Sequence, residues 1–306
     1  MKEFIKNISG LKKTGQFLRE ELERLKLLSA QPMVSRILDI KEPVDNLKKV
    51  EFSAFSQWGD DGIIQYLIHL LNIKEESFIE FGVGNYLEAN TRFLLMNNHW
   101  RGLIFDGSER NMEFVKNDSI SWKYDIQAIP LFITRSNIND AIQKAGFTGE
   151  IGLLHIDIDG NDYWVWESIN VVNPQLVIME YNSVFGNKEA ISTPYADDFY
   201  VNAAHYSNLY FGGSLKAMCH LATQKGYSFV GSNSAGNNAY FVRNDKMGPL
   251  KALSAEEGYV RCRFRQNRKP DGSLGLIPDT EAIFQAGELP VVQVNTGQTL
   301  PLKSCL

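Results

Sequence analysis

Several features of other protein classes are missing from this chain of 306 residues. It has only three cysteines (Cys219, Cys262 and Cys305), which are far apart and show no metal-ligand spacing. Such cysteines are typical of reduced thiols in a cytoplasmic protein. No apolar run reaches the ~18 residues of a membrane span, and charged helical sequence, not an apolar leader, follows the first methionine. We therefore expect a cytoplasmic protein without a membrane span.

An excess of basic residues is also missing. Lys and Arg number 31 against 36 Asp and Glu, which gives a net charge of −5 and argues against a general nucleic-acid-binding role. The composition that is present, with 44% hydrophobic and 11% aromatic residues, is that of a globular protein with a substantial core.

The most informative stretch is a short apolar strand that breaks at two glycines. The strand, Phe78–Phe81, carries one acid, Glu80, and is followed by Gly82 and Gly84. Residues 87–96 can then be helical. Glycine lets a ligand approach the backbone, and the first N–H groups of a helix have no partners within the helix. We therefore expect a cofactor that contains a nucleoside to bind at this turn.

A second acid stands at a spacing typical of ribose recognition. An apolar run over 102–105 ends at Asp106, which comes 24 residues after Gly82 and is followed by Ser108. Ligands of open α/β sheets bind at the carboxyl ends of strands, where an acid at this spacing accepts hydrogen bonds from ribose hydroxyls.

Short apolar strands alternate with helical segments along the middle of the chain. This alternation predicts an α/β fold with a mostly parallel sheet and helices on both faces. The last two strands, 227–230 and 239–242, are joined by a linker too short for a crossover helix, so they must be antiparallel. The three strands between them and Asp106 are predicted at 128–133, 151–156 and 176–179.

Two regions lie outside the alternation. Residues 1–30 form a predicted polar helix that ends at Pro32; we expect it to pack on the main domain, with a dimer contact or a substrate lid as alternatives. Residues 183–212 form an aromatic insert that we expect to cover a substrate. The leucines that share one face of the first helix are Leu18, Leu22, Leu25 and Leu28.

Acidic residues cluster after the fourth and fifth strands, whose carboxyl ends should be neighbours. Oxygen ligands of this type suit Mg²⁺, Ca²⁺ or Mn²⁺. Three interpretations stay open: a metal site, a metal-free general base supplied by a carboxylate or by His205, and acids that only cap the next helix. The cluster consists of Asp157, Asp159 and Asp162 after strand four and of Glu180 and Asn182 after strand five.

Five parallel strands, a helix and an antiparallel pair are the layout of class I S-adenosylmethionine-dependent methyltransferases. Within that class the chain resembles the FkbM-type methyltransferases and their relatives in bacterial polysaccharide gene clusters. The resemblance covers roughly residues 52–245. The segments that carry it are 55–62, 78–85, 105–108, 156–162, 178–182 and 231–236.

The resemblance implies a Rossmann-like sheet of seven strands that binds S-adenosylmethionine. One group of residues would surround the methionine part of the cofactor, a second would hold the ribose hydroxyls, and a third would cover the carboxylate end. These groups are Glu80, Gly82 and Gly84; Asp106 with Ser108; and Gln57 with Asp60. The third glycine of the longer methyltransferase motif is absent, and Tyr86 takes its place.

The implied function is an O-methyltransferase that acts on a hydroxyl of a sugar, a nucleotide-linked sugar or a related small molecule, assisted by Mg²⁺ or Mn²⁺. Catechol-type O-methyltransferases are similar in placing metal ligands at the ends of strands four and five, here Asp157, Asp159, Glu180 and Asn182. The substrate-contact candidates are Tyr181, Tyr195, Tyr206, Arg261 and Arg265, of which the arginines otherwise form a solvated face.

We divide the chain into a helical extension (1–50), a methyltransferase domain (51–245) and a C-terminal extension (246–306) that packs on the same domain. A nicotinamide dehydrogenase is the rival from the same fold class, but it expects glycine where Leu87 stands. The pattern is also compatible with a metal-independent methyltransferase that has a nitrogen or phosphate-oxygen acceptor, or with a non-catalytic cofactor-binding scaffold. A homodimer through the first helix is kept as an alternative to its packing on the main domain.

Overall fold

A seven-stranded sheet organises the molecule in our computed structural model, which describes residues 2–264 and 267–306, with side chains from Thr14 onward. The strand order is β3-β2-β1-β4-β5-β8-β7. Its strands are β1 (Ser77–Phe81), β2 (Arg101–Asp106), β3 (Ile126–Pro130), β4 (Gly149–Ile156), β5 (Val172–Glu180), β7 (Tyr227–Ser232) and β8 (Asn238–Arg243).

The first five strands run parallel, and β8 pairs antiparallel with both β5 and β7. Because β8 runs in the opposite direction, its first residue reaches the edge of the sheet at which β5 ends. Asn238 therefore lies opposite Glu180 in the register. The predicted Rossmann-like α/β fold with a terminal antiparallel pair is confirmed.

Helices cover both faces of the sheet, and each face has its own apolar cluster. One cluster joins Phe78 of β1 to residues of the first helices, and the other joins Phe81 to helices from the second half of the domain. Alternate residues of a strand point to opposite faces, which explains why the two phenylalanines belong to different clusters. The helices are α1 (Lys2–Leu38), α2 (Asp60–Leu70), α3 (Arg92–Asn98), α4 (Glu109–Asn117), α5 (Ile120–Lys123), α6 (Ile138–Lys144), α7 (Asp162–Ser168), α8 (Val201–Ala204), α9 (Leu215–Lys225), α10 (Ala255–Gly258) and α11 (Asp279–Ala282).

A second, small antiparallel sheet ties the insert to the end of the chain. It contains β6 (Ile191–Ser192), β9 (Pro290–Gln293) and β10 (Gln298–Pro301), in the order β10-β9-β6. The sequence did not reveal it, because β6 has only two residues and its partner lies a hundred residues further along the chain. Short 3₁₀ turns lie at Leu47–Val50, Ser183–Phe185, Asn244–Lys246, Ile283–Ala286 and Leu302–Ser304.

The first helix differs from its prediction in length and in the face that packs. It continues through Pro32 to Leu38, so the expected end at the proline is wrong. Its packed side is held by the ion pairs Arg19–Asp118 and Glu23–Arg92, and Ala30 and Ile37 on this side are buried. The leucine row lies on the exposed side, where Leu18, Leu22, Leu25 and Leu28 are 55–67% exposed. The homodimer through this helix stays a prediction.

Among the described residues, no helix combines the length and the apolar character that crossing a membrane requires.

Candidate active site

A cleft lies at the carboxyl ends of β1, β2 and β4, as expected for an open α/β sheet. It consists of two cavities. The outer cavity has a volume of about 550 Å³ and is lined by Gly84 and Asp106 among others. The inner cavity has a volume of about 180 Å³ and extends to Asn238. Gly82 and Asp157 line both cavities and form the floor between them.

The floor requires glycine at position 82. A Cβ placed on Gly82 would lie 1.6 Å from the carbonyl oxygen of Asp157, and Gly82 has a φ of +73°. The strand β1 therefore approaches the end of β4 as closely as two backbones can. Gly84 also has a positive φ, of +55°, but a Cβ there would meet no atom within 4 Å. The open space above Gly84 belongs to the outer cavity.

Tyr86, which replaces the third glycine of the motif, has a backbone conformation that glycine adopts more easily. Its φ is +61°, which is rare for a bulky residue. The phenol is fully buried and its hydroxyl pairs with Thr91 Oγ1 at 2.9 Å, while Arg92 Nη1 donates to its carbonyl oxygen at 2.8 Å. These contacts hold the turn in place without the glycine.

Glu80 holds the glycine turn in place through hydrogen bonds to its carboxylate. Its carboxylate accepts hydrogen bonds from the backbone N–H groups of Asn90 (2.9 Å) and Thr91 (3.1 Å), from the Thr91 hydroxyl, and pairs with His155 Nδ1 at 2.8 Å. The helix after the turn begins only at Arg92, later than predicted. The N–H groups just before that helix thus bind Glu80. His155 is buried within this network.

Asp106 stands at the mouth of the outer cavity, at the end of β2. One carboxylate oxygen accepts from the N–H of Gly84 at 2.7 Å, and the other accepts from the N–H of Ser108 at 2.8 Å and from Asn111 Nδ2 at 3.2 Å. Ser108 caps α4 through its hydroxyl. These contacts fix the carboxylate, whose remaining lone pairs can accept hydroxyl donors from a ligand.

The aromatic wall of the outer cavity was not predicted from the sequence. Phe132, which follows β3, and Tyr200 of the insert line the cavity, with their ring centroids 5.1 Å apart. Phe199 is also part of the lining and packs on Gly160. Flat apolar rings at this place suit a nucleobase. The available signal was the position of Phe132 near the carboxyl end of the predicted strand 128–133, at the edge where ligands bind.

Asp60 lines the inner cavity, but its carboxylate is already bound by protein groups. It accepts hydrogen bonds from Asn233 Nδ2 (3.1 Å), Asn238 Nδ2 (3.0 Å) and the hydroxyl of Tyr240. Burial raises the pKa of Asp60. Asp60 therefore holds the side chains of its neighbours in place, and its predicted contact with the cofactor stays a prediction. Gln57, which is exposed, lines the same cavity.

The loop that carries Gln57 is fixed by the next acid. Asp61, fully buried, accepts hydrogen bonds from the N–H groups of Ala54 (2.7 Å), Phe55 (2.7 Å) and Ser56 (2.9 Å). This loop leads into α2, whose first residues are the two aspartates.

The acidic residues after β4 and β5 come together as predicted for three of the five. Asp157, Asp159 and Glu180 each offer one carboxylate oxygen, and these oxygens lie within 4.8 Å of one another. Glu180 is 8% exposed, and its Oε2 atom is buried without a hydrogen-bond partner among the described residues. A buried oxygen of this kind requires a cation or a proton. The donor set of three carboxylates fits a hard divalent cation.

Crowding of these acids raises their pKa values. Burial and the neighbouring Asp159 carboxylate raise the pKa of Asp157 to about 8, and burial together with Asp157 raises the pKa of Glu180 well above its usual range. Asp162 has a different role: its two oxygens accept from the N–H groups of Ile158 (2.8 Å) and Gly160 (2.9 Å). It closes the loop that presents Asp157 and Asp159.

Two other candidates, Asn182 as a metal ligand and His205 as a general base, lie outside this group of three carboxylates. The Asn182 amide donates to the carbonyl oxygens of Leu209 (2.8 Å) and Phe211 (3.0 Å) and accepts from the N–H of Val184, so it braces the insert. His205 Nδ1 lies 2.7 Å from the Ser207 hydroxyl, and His205 is absent from the described lining of both cavities. Burial lowers the pKa of His205.

The predicted substrate contacts are spread over the insert and the C-terminal segment. Tyr181 donates to the carbonyl oxygen of Val260 at 2.5 Å and Tyr206 to Gln285 at 2.9 Å. The hydroxyl of Tyr195 accepts from the N–H of Arg135 at 3.0 Å, and Arg261 donates to Thr280 at 2.6 Å. The structure does not bring them together in one cavity. Arg265 lies outside the described residues.

Solved structures with a similar fold are methyltransferases by their descriptions. An O-methyltransferase from Bacillus cereus in complex with SAH has a TM-score of 0.39 and 11% identity, covering 71% of this chain and 90% of that chain. An S-adenosylmethionine-dependent methyltransferase from Clostridium acetobutylicum has a TM-score of 0.38 and 10% identity, covering 60% and 90%. The StiE O-MT has a TM-score of 0.31 and 12% identity, covering 51% and 46%.

The chain thus spans less than half the length of the StiE O-MT. No family model matches the chain, and no curated protein matches it in sequence. At these TM-scores the likeness to solved structures carries no information about activity, which has to be argued from the residues of the cleft.

Proposed function

We propose that this chain is an S-adenosylmethionine-dependent methyltransferase. The observation that carries the proposal is the pair of cavities that meet at Gly82 and Asp157. The outer cavity has room for an adenosine group and has Asp106 at its mouth to accept ribose hydroxyls. The inner cavity would hold the amino-acid end of the donor. The reacting centre would then lie over the floor, beside the acid cluster.

The residues of the cleft act by positioning. Phe132 and Tyr200 pack against the adenine ring. Asp106, whose carboxylate is held in place by two backbone N–H groups, accepts hydrogen bonds from the ribose hydroxyls. The donor supplies an electrophilic sulfonium methyl group. Alignment of donor and acceptor in a shielded cleft is the main contribution that a protein makes to such a displacement.

We further propose that the acceptor is a hydroxyl group, deprotonated at Asp157, Asp159 and Glu180. These three carboxylates would hold a divalent ion such as Mg²⁺ or Mn²⁺, and the unpartnered oxygen of Glu180 supports this assignment. A divalent ion supplies Lewis acidity that lowers the pKa of a hydroxyl bound to it. In the metal-free alternative, one of the same carboxylates takes the proton directly.

For the acceptor we propose a sugar, a nucleotide-linked sugar or a related small molecule, in surface-polysaccharide or secondary-metabolite biosynthesis in the cytoplasm. This part of the proposal rests on the resemblance of six segments to FkbM-type methyltransferases. Methyl transfer from labelled S-adenosylmethionine to a panel of nucleotide sugars tests it, and a nitrogen or phosphate-oxygen acceptor would emerge from the same assay.

Isothermal titration with S-adenosylmethionine and S-adenosylhomocysteine tests the cofactor. We expect sub-millimolar binding, weakened about tenfold by Asp106→Asn because a ribose hydrogen bond to a charged acceptor is lost. Asp140→Asn, at an exposed position of α6, is the control and should bind like the unchanged chain. Absence of binding at millimolar concentration would contradict the proposed function and leave a non-catalytic scaffold as the remaining role.

Chelation tests the metal. After exhaustive treatment with EDTA, the proposed metal mechanism requires turnover to fall and to return on addition of Mg²⁺ or Mn²⁺. Turnover that survives chelation and does not respond to added ions would select the metal-free base.

A further inference from the structure

One residue of the inner cavity lining has a hydrogen-bonding atom that no described residue contacts. Asn238, the first residue of β8, is 2% exposed and lines this cavity. Its Nδ2 donates to Asp60 Oδ1 at 3.0 Å. Its Oδ1 is buried and receives no hydrogen bond from any described residue.

The orientation of this amide follows from Asp60. The Asp60 carboxylate already collects donors from Asn233 and Tyr240, so it presents acceptor oxygens towards Asn238. A flipped amide would place the Asn238 oxygen 3.0 Å from a carboxylate oxygen, which is repulsive. Oδ1 must therefore be directed away from Asp60. A buried acceptor without a donor is costly unless a ligand supplies one.

A second unused group borders the same cavity and has the opposite character. Trp58 lines the inner cavity, and its Nε1 atom is buried without an acceptor among the described residues. The indole is held by stacking on Phe264, with ring centroids 5.2 Å apart and an interplanar angle of 18°. Trp58 and Asn238 thus both line a space of about 180 Å³, and each carries one polar atom without a hydrogen-bond partner among the described residues.

Resting on the proposed function, we propose that Asn238 and Trp58 recognise the charged amino-acid end of the donor. Asn238 Oδ1 accepts a hydrogen bond from the α-ammonium group, and Trp58 Nε1 donates one to the α-carboxylate. The carboxylates of Glu80 and Glu88 in the lining favour the ammonium further by their charge. Asp60 then acts as a positioning residue through Asn238.

Titration calorimetry on the full chain with three ligands tests the Asn238 contact and the Trp58 contact separately. S-adenosylhomocysteine has both charged groups, its decarboxylated analogue keeps only the amine, and 5′-methylthioadenosine has neither. Asn238→Leu should weaken the first two about 10- to 100-fold and change the third less than about twofold. Trp58→Phe keeps an aromatic ring and should weaken only S-adenosylhomocysteine, by about tenfold.

Asn170→Leu is the matched control. Asn170 is exposed, follows α7 and is absent from the described lining of both cavities. It should leave the affinity ratio of S-adenosylhomocysteine to methylthioadenosine unchanged. If Asn238→Leu does not fold in a thermal melt, Asn238→Ser, which keeps a hydroxyl donor on the side of Asp60, takes its place.

The outcomes separate this inference from the function on which it rests. Equal weakening of all three ligands by the variants at Asn238 and Trp58 would overturn it, since that result indicates a structural role. So would an unchanged chain that binds methylthioadenosine as tightly as S-adenosylhomocysteine. Failure of the unchanged chain to bind any of the three would overturn the proposed function itself and this inference with it.

Discussion

Glu80 and Glu180 are the same residue type at equivalent ends of two strands, and the protein treats them in opposite ways. Both are buried, at 2% and 8% exposure. Glu80 receives two backbone N–H groups and a hydroxyl and pairs with His155. Glu180 has an oxygen without any partner among the described residues and two aspartates as neighbours.

The difference distinguishes an acid that builds the site from an acid that is available to a ligand. A carboxylate saturated by protein donors stabilises the fold in its charged form. A buried carboxylate next to other carboxylates destabilises the apoprotein until it receives a proton or a cation. By this criterion Glu80 supports the glycine turn, and Glu180 belongs to the reacting centre.

The largest effect is expected for Glu80→Gln. Loss of the charge leaves the donors of Asn90, Thr91 and His155 facing a neutral amide, whose N–H₂ group repels one of them. Breaking a buried charged network costs about 3–5 kcal/mol, measured as the free energy of unfolding in urea. Glu76→Gln, at an exposed position before β1, is the control and should change it by less than ~0.5 kcal/mol. Equal free energies of unfolding for the two variants would show that Glu80 does not stabilise the turn, and the contrast with Glu180 would be lost.

The second largest effect is expected for Gly82→Ala, which would push the turn after β1 away from the end of β4. The added methyl group would overlap the Asp157 carbonyl oxygen, and the positive φ adds backbone strain. Overpacking and left-handed strain together cost about 2–4 kcal/mol. Gly84→Ala has the strain without the overlap and should cost about 1–2 kcal/mol. Urea unfolding measures both, and a larger loss for Gly84→Ala would contradict the close approach.

Glu180→Gln should behave opposite to Glu80→Gln. Removing one of three crowded carboxylates relieves repulsion, so the apoprotein should keep its stability or gain about 1 kcal/mol. Turnover should fall about 100-fold or more, as for loss of a group that assists proton removal. Thermal melts with and without Mn²⁺ provide the second readout, in which the unchanged chain is stabilised by the ion and the variant is not. If the Glu180→Gln apoprotein were less stable than the unchanged chain, Glu180 would be a structural acid like Glu80.

The smallest effect concerns an acid at the surface. Hydrogen bonds from Arg243 lower the pKa of Glu150, which joins the start of β4 to the end of β8. A lowered folded-state pKa means that the pair stabilises above the unfolded value and that this contribution disappears as the pH falls through the folded value. The gain is below ~1 kcal/mol because Glu150 is 43% exposed. Glu150→Gln should therefore flatten the acid side of the stability–pH curve slightly, whereas a steeper curve would contradict the pairing.

The sheet could be predicted from the sequence because its signals are local. Apolar runs such as Phe78–Phe81 mark strands, and the short linker before Asn238 leaves only an antiparallel connection. The meeting of Asp157 with Glu180 could be predicted as well, since parallel neighbours end at one edge. The small sheet around Ile191 could not, because pairing of two residues with a distant strand leaves no periodic pattern.

The sequence also does not predict whether a candidate side chain is free to bind a ligand or is already hydrogen-bonded by protein groups. Asp60 and Asp106 are the same residue type in the sequence, but the partners of Asp60 lie on β8 and in the preceding turn, far along the chain. Asn182 was expected to bind a metal because of its place after β5, and its contacts with the carbonyl oxygens of the insert depend on how residues 209–211 fold back. The Asn238 Oδ1 atom is distinguished only by the absence of a hydrogen-bond donor among the described residues.

The close contact between Gly82 and Asp157 has a consequence for turnover. In the proposed reaction the donor and its demethylated product differ by one methyl group and by the positive charge of the sulfonium above this floor. The contacts on either side, with the adenosine and with the amino-acid end, are the same for both molecules. Only the interaction of the sulfonium charge is lost on transfer, so for the proposed reaction we expect the product to be retained and to inhibit turnover. The rate in the cell would then depend on the ratio of donor to product concentrations, and on any enzyme that removes the product.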